Sequence, residues 1–288
     1  MQRIAFETIK KEVVAHMDIL EIIKLYTEEY YSIAALSRKY GIAGEKIKKL
    51  LVQNGIKTRT QAEQNIITNK SRALKVNHSY FDVINTVQKA WLLGFIAADG
   101  SISSDRNAIE FGLSETDSEI LEKIKSELSL ETEVKHQITS KGFSIARLCW
   151  TSAPQKNKLI QYGIKPRKTY LPMAIPSILN SDEMKLAFLL GYYDGDGCFK
   201  DDSSYCRIEI CSYRSELLEE FSRLIKRIFG FSKSVYKDKS RDNYYTLTYS
   251  TQEAEEILNK CYGIMSQNFV LTRKKEKFNN WKEKNNRI

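Results

Sequence analysis

WLLGFIAADGSI at residues 91–102 and FLLGYYDGDGCF at residues 188–199 are two versions of one pattern. Each is an apolar, helix-like run that ends in an acid followed by glycine, and the two acids, Asp99 and Asp196, lie 97 residues apart. A helix C-terminus carries partial negative charge, so a carboxylate there is in an unfavourable place. One such ending is typical of an ordinary helix cap followed by a glycine turn. Two endings at matching places indicate that the acids have a function.

Each motif begins a similar succession of elements. The first is followed by AIEFGL and DSEILEKIKSEL, and the second by RIEICS and SELLEEFSRLIKRIF. In RIEIC, Ile208 and Ile210 alternate with Arg207 and Glu209, which is the period of a strand with one apolar face. Each copy therefore predicts a motif helix, a hairpin, a helix, a hairpin and a helix. We expect an α+β fold of two pseudo-symmetric repeats, in which each sheet has its apolar face under helices and its polar face open.

The N-terminal third has a different pattern. SIAALSRKYGIAGEKIKKLLVQNGI, residues 32–56, predicts two helices joined by a turn at Gly41. The apolar positions form one seam: Ile33, Leu36, Ile42, Ile47, Leu50 and Leu51. The second helix then exposes a basic face, which suits a helix-turn-helix that enters a DNA major groove. The alternative is a small helical bundle whose lysine face is simply solvated.

These patterns divide the chain into four segments. Residues 1–63 are predicted to form the all-α helix-turn-helix domain, and 64–85, which are polar and mixed, a linker. Residues 86–180 hold the first repeat and 181–288 the second. We expect one chain to act as a pseudo-dimer.

The charge of the chain favours a polyanionic partner. The formal net charge is +9, and residues 1–90 carry 15 basic and 9 acidic residues. No apolar run approaches the length of a membrane span, and the N-terminus lacks the pattern of a secretory signal. The five cysteines form no Cys-x-x-Cys pair, so a zinc site is not predicted. We expect a protein of a reducing compartment, the cytoplasm or an organellar matrix, that binds DNA and no membrane.

Two glycines bring the motif acids together. Gly94 and Gly191 occupy matching positions inside the two motif helices, where a glycine costs about 1 kcal/mol relative to alanine. Close approach of another backbone is one reason to keep glycine at these positions despite that cost. If the helices pack together at these glycines, Asp99 and Asp196 lie side by side and repel each other. A divalent cation with hard oxygen ligands, such as Mg²⁺, removes the repulsion and binds a phosphate next to it.

LLGFIAADG (residues 92–100) and LLGYYDGDG (residues 189–197) resemble the paired motifs of the LAGLIDADG homing endonucleases. The resemblance covers roughly residues 80–280. It implies two αββαββα repeats whose saddle-shaped sheets bind a long double-stranded DNA site. It also implies that Asp99 and Asp196 bind the metal, Mg²⁺ or Mn²⁺ in its place, and that cleavage across the minor groove leaves 3′ overhangs. The sixth motif position is usually acidic in the family without being the metal ligand; it is Asp194 in the second copy, and the first copy departs from the pattern with Ala97.

The resemblance also suggests which residues form the site. Family members place a basic residue near each metal, and Lys168 in PRK and Lys274 in TRK are the candidates, with Lys275 as the alternative to Lys274 and phosphate contact as the alternative role. Gly100 and Gly197 join the acids as metal ligands. The residues predicted to contact DNA are, from the helix-turn-helix pattern and its basic extension, Lys46, Lys48, Lys49, Gln53 and Arg59 and, on the two repeats, Ser101, Ser103, Arg106, Arg147, Lys200, Arg207, Lys237, Lys239 and Arg241.

Three functions follow from this pattern. The first is a monomeric, site-specific, metal-dependent double-stranded DNA endonuclease. The second is a DNA-binding transcriptional regulator that has kept the fold without cleavage, and the third is an RNA-binding intron maturase. The retained acids favour the endonuclease. A splicing nucleophile at residue 1 and a terminal His-Asn are both absent from the sequence, so a freestanding endonuclease of a mobile genetic element is expected rather than an intein.

Overall fold

The computed structural model describes residues 19–72, 75–202, 204–265 and 269–286. The chain divides into two compact units, Met1–Leu74 and Lys75–Ile288. Each unit has its own hydrophobic core. Within the described part of the chain, no helix is both long enough and apolar enough to cross a membrane.

The first unit is helical. Helix α1 covers 19–27, and it is followed by α2 (Ile33–Tyr40), α3 (Gly44–Gln53) and α4 (Gln61–Arg72). Ser32 caps α2, because its hydroxyl accepts a hydrogen bond from the Ala35 amide. Gly41, with a φ of +65°, ends α2 and begins the short turn into α3. The core combines Ile22, Leu25 and Tyr26 of α1 with Leu36, Ile47 and Leu51 of the predicted seam. The first 18 residues of the predicted domain lie outside the described residues.

The second unit contains the two expected repeats, which confirms the predicted α+β fold. Both have the order helix, two strands, helix, two strands, helix. The elements of the first repeat are α5 (Val87–Ala98), β1 (Ser101–Ile102), β2 (Ala108–Ser114), α6 (Ser118–Glu127), β3 (Lys135–Ile138), β4 (Ser144–Thr151) and α7 (Ala153–Gln161). Those of the second are α8 (Asp182–Asp196), β5 (Gly197–Asp202), β6 (Tyr205–Ser212), α9 (Ser215–Phe229), β7 (Tyr236–Lys237), β8 (Tyr245–Ser250) and α10 (Gln252–Ile264). A final helix, α11 (Thr272–Lys284), follows the second repeat.

Each repeat builds one four-stranded antiparallel sheet. The strand orders are β1-β2-β4-β3 and β5-β6-β8-β7, so the two sheets have the same topology. The registers correspond as well, since Ser101 faces Glu110 on β2 and Cys198 faces Glu209 on β6. Alternate strand residues are buried under the helices, and the intervening ones lie on the open face.

The motif helices α5 and α8 pack against each other at their glycines. A Cβ at Gly94 would lie 2.0 Å from the Phe188 carbonyl oxygen, and one at Gly191 would lie 2.0 Å from the Trp91 carbonyl oxygen. The two backbones are therefore in contact, and only glycine fits at either position. From Trp91 to Ala98, every residue of α5 is buried. The apolar motif is thus the central part of the core that both repeats share.

The segment between the units differs from the predicted linker at 64–85. Residues 61–72 form α4, and the division between the units falls after Leu74. Tyr80, Phe81 and Ile84 are buried in the core of the second unit. Composition suggested a linker because polar residues surround these three apolar side chains in the sequence. The aromatic pair Tyr80–Phe81 instead anchors the chain to the second unit, where Tyr162 donates a hydrogen bond to the Phe81 carbonyl.

We expect Gly94→Ala to reduce the free energy of unfolding of the second unit by at least about 3 kcal/mol, because the methyl group must force two backbones apart. Gly263→Ala is the matched control, since Gly263 also lies in a helix but has no atom within 4 Å of a Cβ built there. The control should be neutral or more stable by up to about 1 kcal/mol. Denaturant unfolding followed by tryptophan fluorescence measures this unit, because Trp91, Trp150 and Trp281 all lie in it. Equal effects of the two substitutions would contradict backbone contact at Gly94.

Candidate active site

The two motif acids lie together at one end of the paired helices. Asp99 is the C-cap of α5, and Asp196 is the last residue of α8. A Cβ at Gly195, on α8, would come within 3.2 Å of the Asp99 carboxylate oxygen Oδ2. The carboxylate of the first repeat therefore rests against the end of the motif helix of the second. Because α5 and α8 pack closely at Gly94 and Gly191, their C-terminal ends also lie close together.

The protein environment opposes ionisation of both acids. Partial burial and the neighbouring Asp196 raise the pKa of Asp99 to about 6, although Lys274 and Lys168 act in the opposite direction. Partial burial also raises the pKa of Asp196, and Lys168, Lys274 and the Tyr192 hydroxyl oppose this. Both residues nevertheless keep part of their surface open to solvent. The pair is thus a site of concentrated negative charge that is accessible from outside.

Two lysines occupy equivalent places beside the acids. The Lys168 ammonium donates a hydrogen bond to the Gly100 carbonyl at 2.5 Å, and the Lys274 ammonium donates one to the Gly197 carbonyl at 2.5 Å. Each of these glycines directly follows a motif acid. Burial lowers the pKa of both lysines; Asp196 and Asp99 act to raise the pKa of Lys168, and Asp194 and Asp99 act to raise that of Lys274. Lys275, the alternative to Lys274, instead lies over the Tyr262 ring at 5.8 Å.

The two lysines differ in their surroundings. Lys274 also donates to the carbonyls of Tyr193 and Asp194, each at 2.7 Å, and to that of Gly195 at 3.3 Å. These carbonyls belong to the last turn of α8, so Lys274 caps that helix with its positive charge. Lys168 is the first residue of a short 3₁₀ turn, Lys168–Tyr170, whereas Lys274 lies on α11. Lys274 therefore has a structural task that Lys168 lacks.

Asp194 explains the departure at the sixth motif position. Its carboxylate oxygen Oδ2 accepts from the Trp91 indole at 2.8 Å and from the Leu271 amide at 3.2 Å. Burial raises the pKa of this carboxyl to about 7. Asp194 thus ties α8 to α5 and to the start of α11. The residue equivalent to Trp91 in the second motif is Phe188, which has no N–H to offer, so Ala97 fits the matching place in the first repeat.

The donor set suits a hard divalent cation. Two carboxylates that repel each other and remain accessible are the ligands that Mg²⁺ prefers, and a cation there would reverse their unfavourable interaction. Among the described residues, no group of three or more His, Cys, Asp and Glu side chains is arranged to hold a metal. Further ligands would then be water, phosphate or backbone oxygens. The carbonyls of Gly100 and Gly197 already accept from the two lysines, so their predicted place as metal ligands stays a prediction.

An open cleft of about 580 Å³ adjoins Asp196. The cleft extends from Lys168 and Asp196 along the open face of the second sheet, past Cys211, to Arg241 and Tyr244. Asp196 therefore lies in a groove that also has basic and aromatic side chains. A groove of this kind can hold an extended polyanion next to the two carboxylates.

Most of the residues predicted to contact DNA lie on accessible surfaces. In the helical unit, Lys46, Lys48, Lys49 and Gln53 are exposed on α3. On the open faces of the sheets lie Ser101, Arg147, Lys200 and Arg207, and at their turns Ser103, Arg106, Lys239 and Arg241. Several of them have protein partners: Arg147 pairs with Glu110, Lys200 and Arg207 with Glu209, and Arg241 stacks on Tyr244 at 4.7 Å.

Two of the predicted DNA contacts need correction. Arg59 stacks on the Tyr26 ring at 3.9 Å and donates to the carbonyls of Tyr26, Tyr30 and Tyr31, so its guanidinium is used inside the helical unit. Lys237 faces Tyr245, whose alternate neighbours Leu247 and Tyr249 are buried. Because paired residues share a face, Lys237 lies on the helix side of the sheet and Tyr236 on the open side. The basic runs KTR and KDK gave no sign of either arrangement.

Sequence reasoning also missed residues that shape the site. Trp91 holds Asp194, and the hydroxyl of Tyr192 interacts with Asp196, four residues along the same helix. Arg273 links the repeats through two hydrogen bonds of 3.0 Å to Asp117 at the start of α6. The i, i+4 spacing of Tyr192 and Asp196 was a usable signal. The pairs that join different repeats gave no such signal in the sequence.

The comparisons with known proteins agree with this geometry. Residues 183–262, which run from α8 into α10, match the family model of the LAGLIDADG-like domain. Most of the second repeat therefore matches the LAGLIDADG-like domain. The first repeat has the same order of elements and the same sheet topology, so the second unit consists of two copies of the LAGLIDADG-like arrangement. A search of the curated proteins gave no match.

Three solved structures illustrate the similarity. The full-length DUF199/WhiA from Thermatoga maritima is 18% identical, with a TM-score of 0.46 over 71% of this chain and 63% of that one. The homing endonuclease I-WcaI bound to its DNA recognition sequence is 12% identical, with a TM-score of 0.45 over 78% of this chain and 95% of that one. The meganuclease I-SmaMI bound to uncleaveable DNA is 15% identical, with a TM-score of 0.41 over 67% and 88%. This chain thus matches less than two thirds of the length of the DUF199/WhiA protein.

The raised pKa of Asp99 gives a pH-dependent stability. An acid with a pKa of about 6 in the folded state and an ordinary value near 3.8 when unfolded favours the folded state increasingly as pH falls through 6. In EDTA, wild type should therefore gain stability relative to Asp99→Asn between pH 8 and pH 5, by about 1 kcal/mol because solvent reaches the side chain. Urea unfolding followed by tryptophan fluorescence at both pH values measures this. A stability difference that does not change with pH would mean that the environment does not oppose ionisation of Asp99.

The different surroundings of the two lysines predict different costs of removal. Lys274→Met should destabilise the second unit by about 3 kcal/mol, because it leaves buried carbonyls of α8 without a donor. Lys168→Met removes a single carbonyl contact and should cost about 1 kcal/mol or less. Lys275→Met is the neighbouring control on α11. Denaturant unfolding of the three variants checks the order, and an equal cost for Lys168 and Lys274 would contradict a capping role for Lys274.

Proposed function

We propose that this protein is a site-specific, metal-dependent endonuclease of double-stranded DNA. The observation that carries the proposal is the pairing of Asp99 and Asp196 at the ends of two helices in backbone contact, with one lysine beside each acid. A regulator that only binds DNA has no need to hold two mutually repelling acids at this place. Metal-assisted phosphodiester hydrolysis does need acids that bind the metal.

The chemistry divides between the metal and the chain. Asp99 and Asp196 would bind the divalent cation, Mg²⁺ or Mn²⁺, which polarises the scissile phosphate and makes bound water more acidic. Lys168 and Lys274 lie within the same charge cluster and can hold a water or a phosphate oxygen by hydrogen bonding. Lys168 is the better placed of the two for this, since it keeps donors that are not used by carbonyls. One acid and one lysine from each repeat give one reaction centre for each DNA strand.

DNA recognition is assigned to two kinds of surface. The open faces of the two sheets carry polar and basic side chains next to the acids, and antiparallel strands can follow a DNA groove. The helical unit presents Lys46, Lys48 and Lys49 on α3, which would contact phosphates or base edges as a helix-turn-helix. Because both repeats belong to one chain, a monomer is enough to cut both strands. Its place of action would be the cytoplasm or an organellar matrix, wherever its DNA is located.

We expect Asp99→Asn and Asp196→Asn each to abolish double-strand cleavage, with a loss of more than about 100-fold, because each removes a metal ligand. The substrate is the duplex that the full chain selects from a randomised library, and the assay compares Mg²⁺ with EDTA. Asp82→Asn removes an exposed carboxylate near the start of α5 and should leave cleavage unchanged. Product ends sequenced on both strands should show 3′ overhangs.

Two results would exclude the proposal. Cleavage that persists in both acid variants would mean that the paired acids are not the reaction centre. A specific complex that never cuts in Mg²⁺ or Mn²⁺ would assign the chain to DNA binding without cleavage. In both cases the description of the fold would remain valid.

A further inference from the structure

A carboxylate occupies the same place on both open sheet faces. Ser101, two residues after Asp99, pairs with Glu110, and Cys198, two residues after Asp196, pairs with Glu209. Glu110 and Glu209 are therefore equivalent in strand register in the two repeats, although they follow the motif acids by 11 and 13 residues. An acid on a surface proposed to contact DNA is unfavourable, because phosphates repel it. Its presence on both faces calls for a specific task.

Each glutamate is paired with basic side chains of its own face. In the first sheet, Arg147 of β4 makes a short ion pair with Glu110. In the second, Lys200 of β5 lies 2.9 Å from Glu209 and Arg207 of β6 lies 3.9 Å from it. The carboxylates are the less exposed partners, with 32% and 20% of their side-chain surfaces open, whereas the three basic side chains keep 41–46%. The glutamates thus lie deeper in the open face of each sheet, and the basic side chains that pair with them are more exposed.

The cations reach the glutamates from opposite directions. Arg147 pairs with Gly112, two residues after Glu110 along β2, and its side chain crosses Gly112, whose Cβ would lie 4.0 Å from Arg147 Cγ. Lys200 pairs with Arg207, two residues before Glu209 along β6. The positions that correspond to Arg147 and Arg207 in the opposite repeat are Thr246 and Ala108. The basic side chains around Glu110 and those around Glu209 therefore occupy different positions in the two sheets.

We propose that Glu110 and Glu209 are positioning residues that orient the base-reading cations, Arg147 on the first sheet and Arg207 with Lys200 on the second, so that each face reads a guanine. A guanidinium fixed by a carboxylate through one edge keeps donors that fit O6 and N7 of guanine in the major groove. Without the carboxylate the same side chain is a flexible cation that contacts any phosphate. The inference rests on the proposed binding of double-stranded DNA and does not depend on cleavage.

The test is a selection of duplexes from a randomised library by the full chain in EDTA, so that cleavage cannot remove bound DNA. When the selected sequences are aligned, each position of the site is one column of the alignment. Wild type should enrich guanine in one column of each half-site. Arg147→Gln should remove one of these columns, by roughly 5- to 100-fold in preference. Glu110→Gln should weaken the same column, and the double variant should lose no more than Arg147→Gln alone. Glu209→Gln should weaken the column of the other half-site.

The control is Glu122→Gln, which removes an ion-paired acid on α6, on the helix side of the first sheet. It should leave every column unchanged, and thermal unfolding of all variants should stay close to wild type.

A change at a different column in Glu110→Gln would mean that the carboxylate reads cytosine itself, and this would overturn the positioning role. Unchanged columns in Glu110→Gln would overturn it as well. If wild type enriches no sequence, the proposed function fails and this inference fails with it. Specific columns without later cleavage in Mg²⁺ would exclude the endonuclease alone.

Discussion

Contact between two helix backbones is the constraint on which the second unit depends. Gly94 and Gly191 each meet a carbonyl oxygen of the other helix at a distance that excludes a side chain. This contact fixes the angle and depth at which α5 and α8 cross, so that their C-terminal ends meet. The site follows directly from it, because Asp99 and Asp196 are attached to those ends. The unfavourable charge of the site is thus maintained by apolar packing elsewhere.

The stabilising charges come from residues far along the chain. Lys274 caps α8 from the start of α11, and Arg273 beside it binds Asp117 of the first repeat. Lys168 reaches the end of α5 from the segment between the repeats. Each lysine thereby offsets part of the negative charge that the helix end and the acids create. A metal would add to this compensation, and a phosphate would then complete the balance of charge.

The sequence was sufficient to predict the repeats and the pairing of their motif helices, and insufficient to predict which other residues far apart in the chain come into contact. Alternation in RIEIC and the repeated glycines predicted the sheets and the helix pair, because both signals are local and periodic. The burial of Tyr80 and Phe81 in the supposed linker, the stacking of Arg59 on Tyr26 and the orientation of Lys237 depend on residues that lie elsewhere in the fold. The lysines were placed by resemblance to a family pattern. Their different hydrogen bonding, one carbonyl for Lys168 and four for Lys274, could come only from the structure.

The two repeats have diverged in ways that suit a single chain. A symmetric dimer must place the same residue on both sides of its interface. Here Trp91 donates to Asp194, whereas the equivalent pair is Phe188 and Ala97, so one side of the interface has a polar contact and the equivalent side has apolar packing. The open faces differ in the same manner, since the cations beside Glu110 and Glu209 come from different strands. Joining the repeats in one chain allows such asymmetry in the core and on the surface, whereas the acids and the glycines stay paired because the site needs both.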